Sequence, residues 1–391
     1  MNNIVIIGNG CAGYNAAKAI RDKDKNSKVI LISEEKSITY YRPLLSEYLN
    51  NEPKENIFYL SKEEWYGENN IDLKLGVTVD KIDTFQKKVY INSSYIDYDK
   101  LILANGSSNI IPTIKGHDKE GVFTLKDIED LNNIKSWMKS SRKVAIIGGG
   151  LLGLEAAFHM KLYGLDVVVI EAAPNLMNKQ LDPEAAQILK ESFEDSGIEV
   201  YTSAMLEEIK GINKVSSIKL SKNIVLDVDM VLFSIGIKPN TSLVQNTGIN
   251  VNRGIVVNDK METNVANVYA CGDICEFNGR VYGNWPASIL MGKVAGLNSI
   301  GEDMKFEGYR DAINFTGANL KIFSMGSIFY DNTISMQFLD KSKKIYKKIF
   351  FKDNVFVGAI LIGDVSSGMK LLKGLNKITL EEFLKEYKGY V

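Results

Sequence analysis

The sequence is poor in the residues from which proteins build inorganic redox centres. Three cysteines, Cys11, Cys271 and Cys275, cannot supply the four thiolates of an ordinary iron-sulfur cluster, and they make no disulfide framework. Two histidines, His117 and His159, exclude a histidine-rich metal site. No metal is expected, so any redox chemistry must rest on an organic cofactor. There is also no apolar run near the roughly 18 residues that span a bilayer. The first strand is expected from about Asn3, leaving no room for a signal peptide, so no membrane association and a cytoplasmic location are expected. Sparse cysteine suits a reducing compartment. Net charge is absent too: 47 Lys and Arg against 48 Asp and Glu give −1, which argues against nucleic-acid binding through overall charge. Only 7 prolines interrupt a chain that is 45% apolar, and its 391 residues exceed what one core usually organises.

What the chain does have is glycine at two telling places. Asn3 to Ile7 reads as a buried strand, followed by Gly8-Asn9-Gly10-Cys11-Ala12-Gly13, a helix to about Arg21, and a strand "KVILIS" ending before Glu34. Gly8 permits the tight turn, Gly10 lets backbone approach a pyrophosphate, and Gly13 lets helix and strand pack closely. The helix start offers free N–H groups and a partial positive charge to phosphate. Glu34, 21 residues past Gly13, is placed to accept hydrogen bonds from a ribose. The pattern recurs as Lys143 to Ile147, Gly148-Gly149-Gly150-Leu151-Leu152-Gly153, a helix closed by Gly164, and "DVVVIE" ending at Glu171. Two such turns, each between strands and each followed by an acid, predict two bound nucleotides. Three further buried-strand patterns break at glycine: "YDKLILANGS", "VDMVLFSIGIKPN" and "VYACGD", the last setting Asp273 at a strand's carboxyl end.

Together these segments resemble the flavoprotein reductases with two dinucleotide-binding domains, which include the pyridine nucleotide-disulfide oxidoreductases. The resemblance covers about residues 3 to 300. It implies an α/β fold with two Rossmann-like domains, a nicotinamide domain inserted in a flavin domain, and a small carboxyl-terminal α+β domain. The expected limits are 1–110 and 239–305 for the flavin domain, 111–238 for the nicotinamide domain and 306–391 for the last. FAD is implied on the first turn, through Gly8, Gly10, Cys11, Ala12, Glu34, Arg42, Pro43, Val79, Ala104, Asn105, Gly106, Asp273 and Trp285. Lys321 is a further flavin candidate, with a solvated strand lysine as the alternative. NADH is implied on the second turn, through Gly148, Gly150, Leu151, Leu152, Glu155, Glu171 and Gly236. A carboxylate at Glu171 would repel a 2′-phosphate, which favours NADH over NADPH. Glu155, an acid in the apolar "LLGLEAAF", is implied where nicotinamide meets flavin. The chemistry is flavin-mediated, so no side chain is expected to be catalytic in the strict sense.

Disulfide-reducing members carry one or two cysteines after the second strand, but here "SITYYRPLLSEYLNNEP" has none. Without a thiolate beside the flavin, dithiol exchange has no actor. "YYRPLLSEYL" resembles NADH:rubredoxin oxidoreductases and the flavin-binding part of NAD(P)H nitrite reductases, whereas oxygenase-system ferredoxin reductases tend to carry lysine where Glu47 stands. The implied function is a reductase passing hydride from NADH to FAD and single electrons to a small acidic carrier such as rubredoxin. An oxidase, a reductase component for another acceptor, or a nucleotide sensor are the alternatives, and a monomer or weak dimer is expected. Lys341, Lys343, Lys344, Lys347, Lys348 and Lys352 form a basic stretch, read as a solvated edge strand guarded by lysines sooner than as a docking face. A hairpin over 344–364 and a last amphipathic helix near 379–387 complete the expectations.

Overall fold

Runs of aliphatic residues broken at glycine become two five-stranded parallel sheets. The computed structural model describes residues 2–310, 312–328 and 332–386. Its longer helices are α1 (Cys11–Lys23), α2 (Ile128–Met138), α3 (Leu151–Tyr163), α4 (Pro183–Asp195) and α5 (Trp285–Ser299). The chain forms two compact units. The first holds Met1–Leu44, Pro53–Asn109 and Gly236–Tyr309; the second holds Leu45–Glu52, Ile110–Ile235 and Arg310–Val391.

In the first unit a parallel sheet runs in the order Val268–Ala270, Lys100–Leu103, Asn3–Ile7, Lys28–Ile32, Ile71–Lys74. Ile4, Val5 and Ile6 are wholly buried, as expected where a parallel sheet is covered on both faces. The strand order reverses beside Asn3–Ile7, which puts Gly8 at a topological switch point, where such sheets bind ligands. α1 and α5 lie side by side in the same direction, Gly292 against Ala12 and Gly296 against Ala16.

The second unit repeats the plan with the parallel order Ile198–Tyr201, Asp166–Ile170, Lys143–Ile147, Met230–Phe233, Val122–Thr124. Gly164 ends α3 in the left-handed region at φ +111°, its N–H bonded to the Lys161 and Met160 carbonyls. The unit also holds a five-stranded antiparallel sheet ordered Ala312–Gly317, Leu320–Gly326, Val355–Ile362, Ile345–Lys352, Ile334–Asp340. Helices Gly368–Gly374 and Leu380–Glu386 follow; position 387, included in the predicted last helix, lies outside the described residues. The α/β architecture with a small α+β carboxyl-terminal part is the one the sequence predicts. Among the described residues no helix is long and apolar enough to cross a membrane.

The lysine stretch departs from expectation. Ile345–Lys352 is flanked by strands on both sides, so it is interior to its sheet and not an edge. Its charge is locally balanced: Lys343, Lys344, Lys347 and Lys348 pair with Asp340, Asp195, Asp364 and Asp182. Segment Leu45–Glu52 also behaves unexpectedly, grouping with the second unit although it follows the second strand of the first. Side-chain bonds to α2 and α3 draw it there: Ser46 to Glu155, Asn50 with His159, and Lys135 to Glu52.

Candidate functional site

The first glycine turn rests on two positions that only glycine fits, Gly8 and Gly13. Gly8 has φ +105°, and a Cβ there would stand 2.2 Å from the Ala104 carbonyl oxygen. A Cβ on Gly13 would reach 1.8 Å from the Gly8 oxygen, so strand and helix touch at that residue. Above Gly10, by contrast, a Cβ would meet nothing within 4 Å, and Gly10 gives α1 no side-chain cap. An open backbone at an uncapped helix start is a cradle for an anion. Asn9 lies buried in the turn; Thr39 Oγ1 stands 2.7 Å from both its oxygens, while Asn9 Nδ2 has no partner among the described residues. That orphaned donor fits a bound acceptor group.

Around this turn the structure assembles most first-cradle candidates. Asp273 accepts hydrogen bonds from Ser107 (3.0 Å) and Ser288 (3.4 Å), and burial raises its carboxyl pKa. Gly106 is left-handed with open space above it, and Asn105 and Asn240 exchange bonds of 3.0 and 2.9 Å between amide and carbonyl groups. Trp285 begins α5; its carbonyl receives the Cys11 thiol at 3.7 Å, and its ring meets Tyr41 edge-on at 5.0 Å. Arg42, in the short turn Arg42–Leu44 that contains Pro43, pairs with Glu35 and lies over the Tyr40 ring. Glu34 is exposed beyond its strand, and Val79 packs at the edge of the first unit's core. Asn9, Thr39, Ser107 and Ser288 were missed from sequence. Only Ser107, beside Gly106 in "ANGS", carried a local signal.

All three thiols are buried, and burial pushes Cys11 and Cys275 up to about 12 and Cys271 also upward. They are protonated core side chains at neutral pH.

The second turn repeats the geometry of the first. Gly148 has φ +116°, with Ser234 O 2.3 Å from a built Cβ; a Cβ on Gly153 would meet Gly148 O at 2.2 Å; Gly150 is open and leaves α3 uncapped. Here the acid is already engaged: Glu171 accepts from the amides of Gly149 (2.6 Å) and Ala173 (2.7 Å). Leu151 and Leu152 start α3, and Leu152 is 58% exposed. Gly236, at φ +111°, falls in the first unit. Glu155 takes a 3.1 Å hydrogen bond from Ser46, and burial raises it to about 7. Lys321 is exposed on its strand and lines a hollow of about 370 Å³ with Phe158, Thr316, Gly317, Asn319 and Leu320, all in the second unit. Among the described residues no group of three or more His, Cys, Asp or Glu could hold a metal.

Two parallel sheets, each sending an open glycine turn into an uncapped helix, define the class of α/β proteins with paired nucleotide cradles. Comparison with known proteins narrows it. Residues 2–292 match the pyridine nucleotide-disulphide oxidoreductase family, and residues 312–379 match the rubredoxin NAD+ reductase C-terminal domain. The chain belongs to the pyridine nucleotide-disulphide oxidoreductase family. It is 33% identical over 374 residues to the NADH-rubredoxin oxidoreductase of Clostridium acetobutylicum, covering 95% of this chain and 94% of that one. A crystal structure of NADH:rubredoxin oxidoreductase from the same organism superposes with a TM-score of 0.81 at 30% identity, covering 98% of this chain and 99% of that one. Similarity is also high, 36% over 378 residues, to the nitrite reductase [NAD(P)H] of Bacillus subtilis, covering 96% of this chain. The chain spans 47% of that relative, 49% of the assimilatory nitrate reductase electron transfer subunit of Bacillus subtilis, and 46% of the Escherichia coli nitrite reductase (NADH) large subunit.

Proposed function

We propose that the chain is an NADH-dependent flavoprotein reductase that delivers electrons singly to a small carrier protein such as rubredoxin. The observation that carries this reading is the duplicated cradle: open space above Gly10 and Gly150 at the starts of uncapped helices. In the first cradle the amides of Cys11 and Ala12 hold the FAD pyrophosphate, Glu34 the adenosine ribose and Asp273 the ribityl chain, while Arg42 offsets phosphate charge. The amino end of α5 at Trp285 favours negative charge nearby. In the second, Gly148, Gly150 and the Leu151 and Leu152 amides take the NADH pyrophosphate, and Glu171 disfavours a 2′-phosphate. Glu155 faces the nicotinamide end. Bound FAD would supply what no side chain here can, acceptance of two electrons together and their release one at a time. The protein's share is orientation, exclusion of water and fixed charge.

The buried, protonated thiols support a route without disulfide exchange. A second reading, a reductase module serving another acceptor, is favoured by similarity over 96% of this chain to a nitrite reductase of which it spans 47%. One experiment separates these readings. The purified protein should be yellow and bleach on anaerobic addition of NADH, and mixing with rubredoxin, ferredoxin or disulfides should restore colour fastest with rubredoxin. A colourless protein that takes up no flavin, or recovery with disulfides only, would overturn the proposal.

A further inference from the structure

The segment Leu45–Glu52 grips two helices of its unit through side chains. Ser46 Oγ donates to Glu155 Oε2 at 3.1 Å, Asn50 Oδ1 meets His159 Nδ1 at 2.7 Å, and Lys135 Nζ bonds Asn51 O at 3.1 Å and Glu52 Oε1 at 2.8 Å. Glu155 and His159 are four apart on α3, so one face of that helix carries both. Ser46 is buried. No cation pairs with Glu155 among the described residues. Burial and the Ser46 hydroxyl are the influences on Glu155, while nearby on the same segment Glu47 acts on His159 and Glu52 holds Lys135. The carboxyl therefore depends on a neutral donor.

We propose that Ser46 is a positioning residue for Glu155: its hydroxyl fixes the carboxyl one turn into the helix that follows the second glycine turn, and sets the pH range over which that carboxyl tells NAD+ from NADH. The second half rests on the reading of the second cradle given above. The nicotinamide ring is positive in NAD+ and neutral in NADH, so a nearby carboxylate favours the oxidised form while a carboxylic acid does not. Burial keeps the proton on Glu155 up to about pH 7, and the hydrogen bond from Ser46 opposes that by favouring the ionised form. Removing the hydroxyl moves ionisation to higher pH.

The test uses the flavin-loaded full chain with 13C-labelled glutamate. The Glu155 carboxyl signal, assigned by its loss in Glu155→Gln, is titrated alongside calorimetric affinities for NAD+ and NADH. In the wild type the preference for NAD+ should rise about threefold or more across neutral pH, with its midpoint at that of the carboxyl. In Ser46→Ala both midpoints should move up by about half a unit or more, and Ser46→Thr, which keeps the hydroxyl, should return them towards wild type. Equal carboxyl midpoints in wild type and Ser46→Ala overturn the proposal. A preference that ignores pH overturns its nucleotide-discriminating half. Failure of the wild type to bind either nucleotide overturns the functional reading instead, and the carboxyl titration still decides the role of Ser46.

Discussion

A Cβ on Gly292 would stand 2.2 Å from the carbonyl oxygen of Ala12, so α5 lies against α1 only because residue 292 has no side chain. Gly296 and Ala16 repeat the contact at 2.4 Å. Both helices begin at the same end, where the Cys11 thiol meets the Trp285 carbonyl, and two positive helix ends converge there. Helix propensity alone would make Gly292→Ala stabilising by about 1 kcal/mol. We predict the opposite, a loss of about 1–3 kcal/mol in urea unfolding with weaker flavin retention, because the helices must separate. A more stable variant would show that the contact is slack.

Asp182 ties the carboxyl-terminal sheet to α4. Its side chain caps the helix at Ala185 N (2.9 Å) and accepts from Tyr346 OH (2.6 Å) and Lys348 Nζ (2.7 Å). Asp182→Ala removes the cap and strands a buried hydroxyl, and should cost about 2–4 kcal/mol. Tyr346→Phe leaves the cap and the lysine pair intact and should cost about 1 kcal/mol. Equal losses in the two variants would mean that the cap and the lysine contribute nothing.

Folding stability should fall as pH rises through the range set by Glu155. Its folded carboxyl is raised from the ordinary 4.5 to about 7, so between those values the folded chain holds a proton that the unfolded chain has released. The stabilisation is complete below about 4.5 and lost by about 7, at no more than about 1.4 kcal/mol per pH unit from this group. Asp273, raised by burial, contributes with the same sign. Glu155→Gln mimics the protonated acid, so denaturation curves of variant and wild type should coincide below about pH 4.5 and diverge above it, the variant being more stable. Curves that stay parallel would contradict the assignment.

Native protein should resist thiol reagents at pH 8. Cys11, Cys271 and Cys275 are buried and protonated, so labelling should report three thiols only after unfolding, and NADH-driven carrier reduction should survive prolonged exposure to an alkylating agent. Rapid loss of activity on modification of one thiol would bring cysteine chemistry back.

What the sequence made legible was local. The strands Asn3–Ile7 and Lys143–Ile147, the turns after them and the helix stop at Gly164 follow from neighbouring residues, because apolar run, glycine and helix start are contiguous. What stayed hidden was set by partners far along the chain. Lys348 looked like an edge-strand charge, yet its carboxylate is Asp182, 166 residues away. Asp273 was found from its strand, but Ser107, its donor across 166 residues, was not. Nothing in "LLSEYLNN" signals that Ser46 and Asn50 will bond to α3, since both are ordinary polar residues until that helix lies beside them.

The chain passes between the two units at 44/45, 52/53, 109/110, 235/236 and 309/310, and this interleaving governs how the molecule is made. A ribosome delivers Asn3–Ile7 at the outset, but the flanking strand Val268–Ala270 and the helix that packs on α1 emerge only after Ile110–Ile235 has been synthesised. The nascent first sheet therefore lacks its flanking strand until Ala270 has been made, and an apolar edge left uncovered over such an interval is the kind of surface that chaperones shield.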